Sequence, residues 1–150
     1  MKGKVLVVDD ELEIFELIAF NLKAGGYEVV TADTGLAAIN QARALSPDLI
    51  ILDLMLPEMD GFTVCEMLQR SPATAHIPII MLTAWSSELS RIISLQTGAK
   101  DYIAKPFSPR ELMLRVKSVL LRNQKLNPPG KPKTAPAQKT KTGLLSQKLA

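Results

Sequence analysis

The 150-residue chain is 47% apolar and 22% charged, which bounds it to one domain with a real core and little else. Its apolar runs fall far short of the roughly 20 residues of a membrane span, and Met1-Lys2-Gly3-Lys4 enters a strand pattern without the marks of a signal peptide. The net charge of +3 is uneven: residues 1–122 carry 12 Lys+Arg against 15 Asp+Glu, whereas 123–150 carry six lysines and no acid, so the body offers no basic stripe for nucleic acid.

Strand and helix patterns alternate along the chain. Lys4–Val8 reads as a strand. Glu11–Ala24 reads as a helix with Ile14, Leu17, Ile18 and Leu22 on one face, ended by Gly25-Gly26. Tyr27–Ala32 is a second strand and Thr34–Leu45 a second helix carrying Leu36, Ile39, Ala42 and Arg43, with Pro47 stopping the chain beyond it. Asp48–Asp53 is a third strand, whose run Leu49-Ile50-Ile51-Leu52 suits burial on both faces of a parallel sheet. Gly61–Arg70 is a third helix, in which the lone Cys65 reads as a small core residue. A single cysteine excludes an intramolecular disulfide and fits a reducing cytoplasm. Ile77–Leu82 is a fourth strand, preceded by His76, read as a surface residue, and Glu88–Thr97 is a fourth helix closed by Gly98. Lys100–Ala104 is a short fifth strand. Ser108–Arg122 is a fifth helix, with Ser108 as N-cap, Pro109 at the first helical position and Glu111 completing a capping box.

Five βα units with short connections imply an α/β fold, a parallel sheet covered by helices on both faces. After Arg122 the periodicity stops. The Pro/Lys/Thr-rich stretch from Asn127 to Thr142 is expected to be disordered, and Gly143–Leu149 is too short for a stable helix of its own. The chain thus divides into a folded body, 1–122, and a basic tail or linker, 123–150.

In such a sheet the C-terminal strand ends gather on one edge, where open α/β sheets hold their ligands. Here they deliver Asp9 and Asp10, Asp53, Thr83 and Lys105. Carboxylates within a few Å resist ionising together unless a cation joins them, and hard oxygen ligands suit Mg²⁺. A carboxylate held beside a cation and a lysine can act as a nucleophile toward a phosphoryl donor, with Thr83 placed to donate to a phosphoryl oxygen. An aspartate at a strand end is more often only a turn former or helix cap. Asp9 or Asp10 could serve the first helix in that way, and a half-buried structural tyrosine at Tyr102 would look the same as a functional one.

Asp9-Asp10, Asp53, the Leu56-Pro57-Glu58-Met59-Asp60-Gly61 loop, Leu82-Thr83-Ala84 and Asp101-Tyr102-Ile103-Ala104-Lys105-Pro106-Phe107 together resemble the receiver domain of bacterial two-component response regulators. The resemblance covers residues 4–122. It implies a flavodoxin-like, doubly wound five-stranded parallel sheet in the order 2-1-3-4-5 with five helices. It implies Asp53 as phosphoacceptor for a histidine kinase or phosphotransfer protein, and Mg²⁺ held by Asp10, by Asp53, by Asp9 through water and by the Met55 backbone carbonyl. Lys105 would pair with the phosphoryl group, the Lys105-Pro106 bond would be cis, and Thr83 with Tyr102 would form a switch. The C-terminal third resembles the subgroup linked to winged-helix domains, whose receivers dimerise through the fourth helix, fifth strand and fifth helix. Arg91 with Glu111 and Asp101 with Arg115 would then pair between subunits, while Lys100 departs from the acid usual there.

A cytoplasmic signalling domain, with no sequence-specific DNA binding of its own and no enzymatic turnover, follows as the expectation. One rival is the receiver part of a longer DNA-binding regulator. Another is an Asp-nucleophile phosphohydrolase, which favours a second aspartate two positions after the nucleophile, where this chain has Met55. Met55 and Trp85, two positions after Thr83, flank the acceptor with bulk, so its aspartyl phosphate is expected to hydrolyse slowly. Following the decay of the phosphorylated protein should show faster loss in Trp85→Ala than in wild type.

Overall fold

The computed structural model describes residues 2–84, 92 and 95–126. Strands β1 (Lys4–Val8), β2 (Glu28–Ala32), β3 (Leu49–Asp53), β4 (Ile79–Thr83) and β5 (Asp101–Ala104) form one parallel sheet in the order β2-β1-β3-β4-β5. Helices α1 (Leu12–Ala24), α2 (Gly35–Leu45), α3 (Gly61–Arg70) and a C-terminal helix (Pro109–Leu126) pack on it. Of the expected fourth helix, Ile92, Leu95 and Gln96 are helical, and residues 88–91, 93 and 94 lie outside the described residues. The doubly wound fold and its strand order are those the sequence implied.

The central strands have no solvent face. Every residue of β3 and β4 is buried, as is β1 from Val5 onward. Because side chains alternate across a strand, the apolar run splits into two cores. Leu6, Val8, Ile50, Leu52, Ile79 and Met81 meet Ala38, Ile39 and Ala42 of α2 and Val64, Cys65 and Leu68 of α3. Val5, Val7, Leu49, Ile51, Ile80 and Leu82 meet Ile18 and Leu22 of α1 and Leu112, Val116 and Val119 of the C-terminal helix. Burying each large aliphatic side chain stabilises by about 1.5–3 kcal/mol relative to leaving it exposed.

Local chemistry sets the helix ends. Thr34 Oγ1 accepts from the Ala37 N–H (3.1 Å), Asp60 Oδ1 from Thr63 (2.9 Å) and Ser108 Oγ from Glu111 (3.0 Å), each satisfying a donor that the first helical turn leaves free. Neither Asp9 nor Asp10 is the N-cap of α1. Glu11 takes that position, without a side-chain capping bond.

β2, β3, β5, α1 and α2 each begin one residue later than the sequence suggested, and other boundary or burial expectations shift further. β4 begins at Ile79 rather than Ile77, because Pro78 has no N–H to give the ladder, and it runs on through Thr83. Leu17 and Leu36 are 38% and 63% exposed, since each sits on the flank of a helix that meets the sheet along a narrow stripe. His76 is half-buried with both ring nitrogens shielded from solvent, rather than a surface residue. The C-terminal helix continues four residues beyond Arg122.

The loop after β3 folds back tightly, so that the Gly61 N–H donates to Leu54 O (2.9 Å). A Cβ at Gly61 would lie 2.5 Å from the Asp53 carbonyl oxygen and 2.8 Å from Leu54 Cα, both backbone atoms that cannot swing aside. Gly61→Ala is therefore expected to lower stability by about 1–3 kcal/mol in a urea titration.

Candidate functional site

Strand register assembles the site. Val8 is aligned with Leu52, which sets Asp9 beside Asp53; Asp53 is aligned with Leu82, next to Thr83; Thr83 is aligned with Ala104, next to Lys105. Parallel strands bring all these ends to one edge. The Lys105 N–H donates to Thr83 O (2.6 Å) and Leu54 N–H to Leu82 O (2.9 Å), extending the ladder past the strand ends.

At this edge Asp9 and Asp53 are 4% and 2% exposed, whereas Asp10 faces solvent. Each of the three offers a carboxylate oxygen, and these oxygens lie within 4.8 Å of one another. The Lys105 ammonium stands over the two buried acids, donating to Asp9 Oδ2 (3.2 Å), Asp53 Oδ2 (3.3 Å) and Glu11 Oε1 (3.0 Å). The remaining oxygens meet backbone: Asp9 Oδ1 accepts from the Glu11 N–H (2.9 Å) and Asp53 Oδ1 from Met55 (3.0 Å). Two carboxylates are thus fixed in orientation by one ammonium and two peptide donors.

Burial raises the Asp9 pKa to about 6; the Glu11 N–H opposes the rise, the Asp53 charge adds to it, and Lys105 opposes it. Burial works against the Lys105 charge, yet Glu11, Asp53 and Asp9 outweigh it and hold the lysine pKa above its ordinary value. An oxygen-only donor set with one solvent-facing carboxylate fits a hard divalent cation such as Mg²⁺, which accepts one or two carboxylates and keeps several waters.

Residues 5–117 match the response regulator receiver domain family. This chain belongs to that family. It is the receiver domain of a two-component response regulator. It is 47% identical over 124 residues to the alkaline phosphatase synthesis transcriptional regulatory protein PhoP of Bacillus subtilis, covering 83% of this chain and 51% of that protein. It is 43% identical over 123 residues to the DNA-binding dual master transcriptional regulator RpaA of Synechocystis, covering 82% and 51%. The receiver therefore spans about half the length of these curated relatives. Among solved structures it resembles a putative response regulator from Chloroflexus aurantiacus (TM-score 0.77, 41% identity, 80% of this chain and 98% of that one). Vibrio cholerae chemotaxis protein CheY4 is also similar (TM-score 0.74, 33% identity, 78% and 98%). RpaA is named as DNA-binding, which leaves the expectation of no sequence-specific DNA binding unsupported. No helix among the described residues is long and apolar enough to cross a membrane.

The receiver brings together five of the residues singled out in sequence: Asp9, Asp10, Asp53, Thr83 and Lys105. The Lys105-Pro106 peptide is cis, as the resemblance implied. Thr83 is buried, and strand alternation puts it on the Met81 face of the sheet, against which the half-buried Tyr102 also packs. Met55 presents its N–H to Asp53 while its side chain is 58% exposed. Away from this edge, Arg115 donates to both Asp101 oxygens (2.9 and 3.0 Å) and to Glu111 Oε2 (3.2 Å) within the one chain. Arg91 and Trp85 lie outside the described residues. Sequence reasoning missed Glu11. Its only sequence signal is an acid directly after Asp9-Asp10, and its contact with Lys105 spans 94 residues.

The raised Asp9 pKa carries a pH signature in cation-free protein. Folding raises this pKa from its ordinary 3.8, so between about pH 4 and pH 6 the folded form holds a proton that the unfolded form has released. Stability should fall as pH rises through that window. Asp9→Asn should flatten the dependence and gain on the order of 1–3 kcal/mol at pH 7, measured by urea denaturation in chelator.

Proposed function

We propose that this receiver accepts a phosphoryl group on Asp53 from a histidine kinase or phosphotransfer protein, in a Mg²⁺-dependent reaction in the cytoplasm. The convergence of Asp9, Asp10 and Asp53 beneath the Lys105 ammonium carries this reading. Asp10, Asp53, Asp9 and the Met55 carbonyl would hold the cation. When bound, Mg²⁺ supplies positive charge that offsets the repulsion between the acidic pocket and an anionic donor.

An Asp53 carboxylate oxygen forms the new bond to phosphorus as the phosphorus–nitrogen bond of phosphohistidine breaks. The electron pair leaves with the imidazole nitrogen. Lys105 bonds a phosphoryl oxygen and stabilises the charge shifted onto it. The Met55 N–H keeps the Asp53 carboxylate aimed outward. Thr83 donates its hydroxyl to a second phosphoryl oxygen and turns inward to reach it. Tyr102, on the same face of the sheet, then rotates into the space left. The rearrangement alters the surface made by the fourth helix, β5 and the C-terminal helix, where Arg91, Asp101, Glu111 and Arg115 serve dimerisation or partner binding. Met55, standing where a phosphohydrolase would have its second aspartate, supports a signalling acceptor rather than a turnover enzyme.

Residues 1–122 form the receiver in this reading, and 123–150 are a basic tail or linker. The share of the transcriptional regulators that this chain spans, about half, favours a second form of it: the receiver portion of a longer DNA-binding regulator.

Incubation with Mg²⁺ and acetyl phosphate should add one phosphoryl group by mass to wild type and none to Asp53→Ala. Lys105→Ala should slow the addition by about tenfold or more, as loss of a charge-stabilising donor does. A mass gain that persists in Asp53→Ala would overturn the assignment.

A further inference from the structure

Glu11 lies outside the acidic trio yet makes the shortest of the three bonds to Lys105, 3.0 Å against 3.2 Å to Asp9 and 3.3 Å to Asp53. An ammonium has three protons, and all three are engaged. Lys105 can therefore reach a phosphoryl oxygen only by releasing an acceptor. Asp9 and Asp53 are also the residues whose oxygens would turn to a cation, so Glu11 is the acceptor left to Lys105 in the loaded site. Its side chain is 62% exposed against 12% for Lys105, so it can swing away into water while the lysine stays enclosed. The Glu11 backbone N–H is separately committed to Asp9 Oδ1, which fixes where the side chain starts.

We propose that Glu11 is a positioning residue that holds the Lys105 ammonium between transfers and competes with the phosphoryl oxygens for it. By that competition it sets how tightly the acceptor site holds a phosphoryl group. The inference rests on the Asp53 phosphoacceptor reading. Glu11→Gln keeps the size of the side chain and the backbone bond to Asp9 but removes the charge that retains Lys105. Because the pair is partly exposed, its loss corresponds to about a two- to fivefold change in affinity.

The test is calorimetric titration of the full chain with beryllofluoride, a phosphoryl mimic, at saturating Mg²⁺. Glu11→Gln should bind about two- to fivefold more tightly than wild type, with an unchanged urea midpoint. Asp33→Asn removes the same charge from the cleft that Asp9 and Asp10 line, without touching Lys105, and should leave the affinity where it was. In a Lys105→Gln background, adding Glu11→Gln should produce no further gain. Equal gains in Glu11→Gln and Asp33→Asn would reduce the effect to general electrostatics and overturn the proposal. An affinity in Glu11→Gln equal to or weaker than wild type would also overturn it. Wild type that binds no beryllofluoride would instead sink the phosphoacceptor reading, and this inference with it.

Discussion

Two carboxylates buried at one edge of a parallel sheet require a cation, and the Lys105 ammonium supplies it. Asp9 follows the buried apolar run Val5–Val8 and Asp53 ends the otherwise apolar β3, so water reaches neither freely. Removing that ammonium would leave two buried carboxylates uncompensated, which is far more costly than the pairing itself is stabilising. The fold therefore depends on delivering a lysine that is 96 residues from Asp9 and 52 from Asp53 in the chain. It does so through the order β1-β3-β4-β5 and through a backbone bond that ties Lys105 to the end of β4.

That arrangement divides the molecule into rigid and adjustable parts. β3 and β4 are locked between two cores, which would hold the proposed acceptor Asp53 and the Thr83 hydroxyl at fixed separation. The groups proposed to respond lie further out: Tyr102 is half-buried on β5, and the Asp101–Arg115–Glu111 ion pairs sit near the surface. Burial holds the Arg115 pKa down less than Asp101 and Glu111 raise it, so the guanidinium keeps its charge. Such partly exposed pairs are weak individually and easily exchanged, a property suited to the repacking proposed for this surface.

Much of this was legible in the chain. Val5-Leu6-Val7-Val8 and Leu49-Ile50-Ile51-Leu52 are apolar on both strand parities, which only a sheet covered on both faces accommodates. Ser108, Pro109 and Glu111 marked a helix start that the backbone confirms. Other features were hidden because burial is a pairwise property. Leu17 and Leu36 fit the helical period but fall on flanks the sheet does not reach. His76 read as a surface residue, yet its ring nitrogens are enclosed. Asp9 and Asp10, neighbours of one type, differ completely in exposure because Val8 carries Asp9 toward Asp53.

The sequence by itself determined the fold class, the membership in the receiver family and the set Asp9, Asp10, Asp53, Thr83 and Lys105, because apolar period and residue type are local properties of a chain. Only the tertiary structure decided how those groups share their protons and charges. Parallel register aligned Asp9 with Asp53, burial raised the Asp9 pKa, and the approach of the β5 end gave Lys105 a third acceptor in Glu11. Hydrogen bonds between residues about fifty to a hundred positions apart depend on strand order and register, and neither quantity is written in any single stretch of sequence.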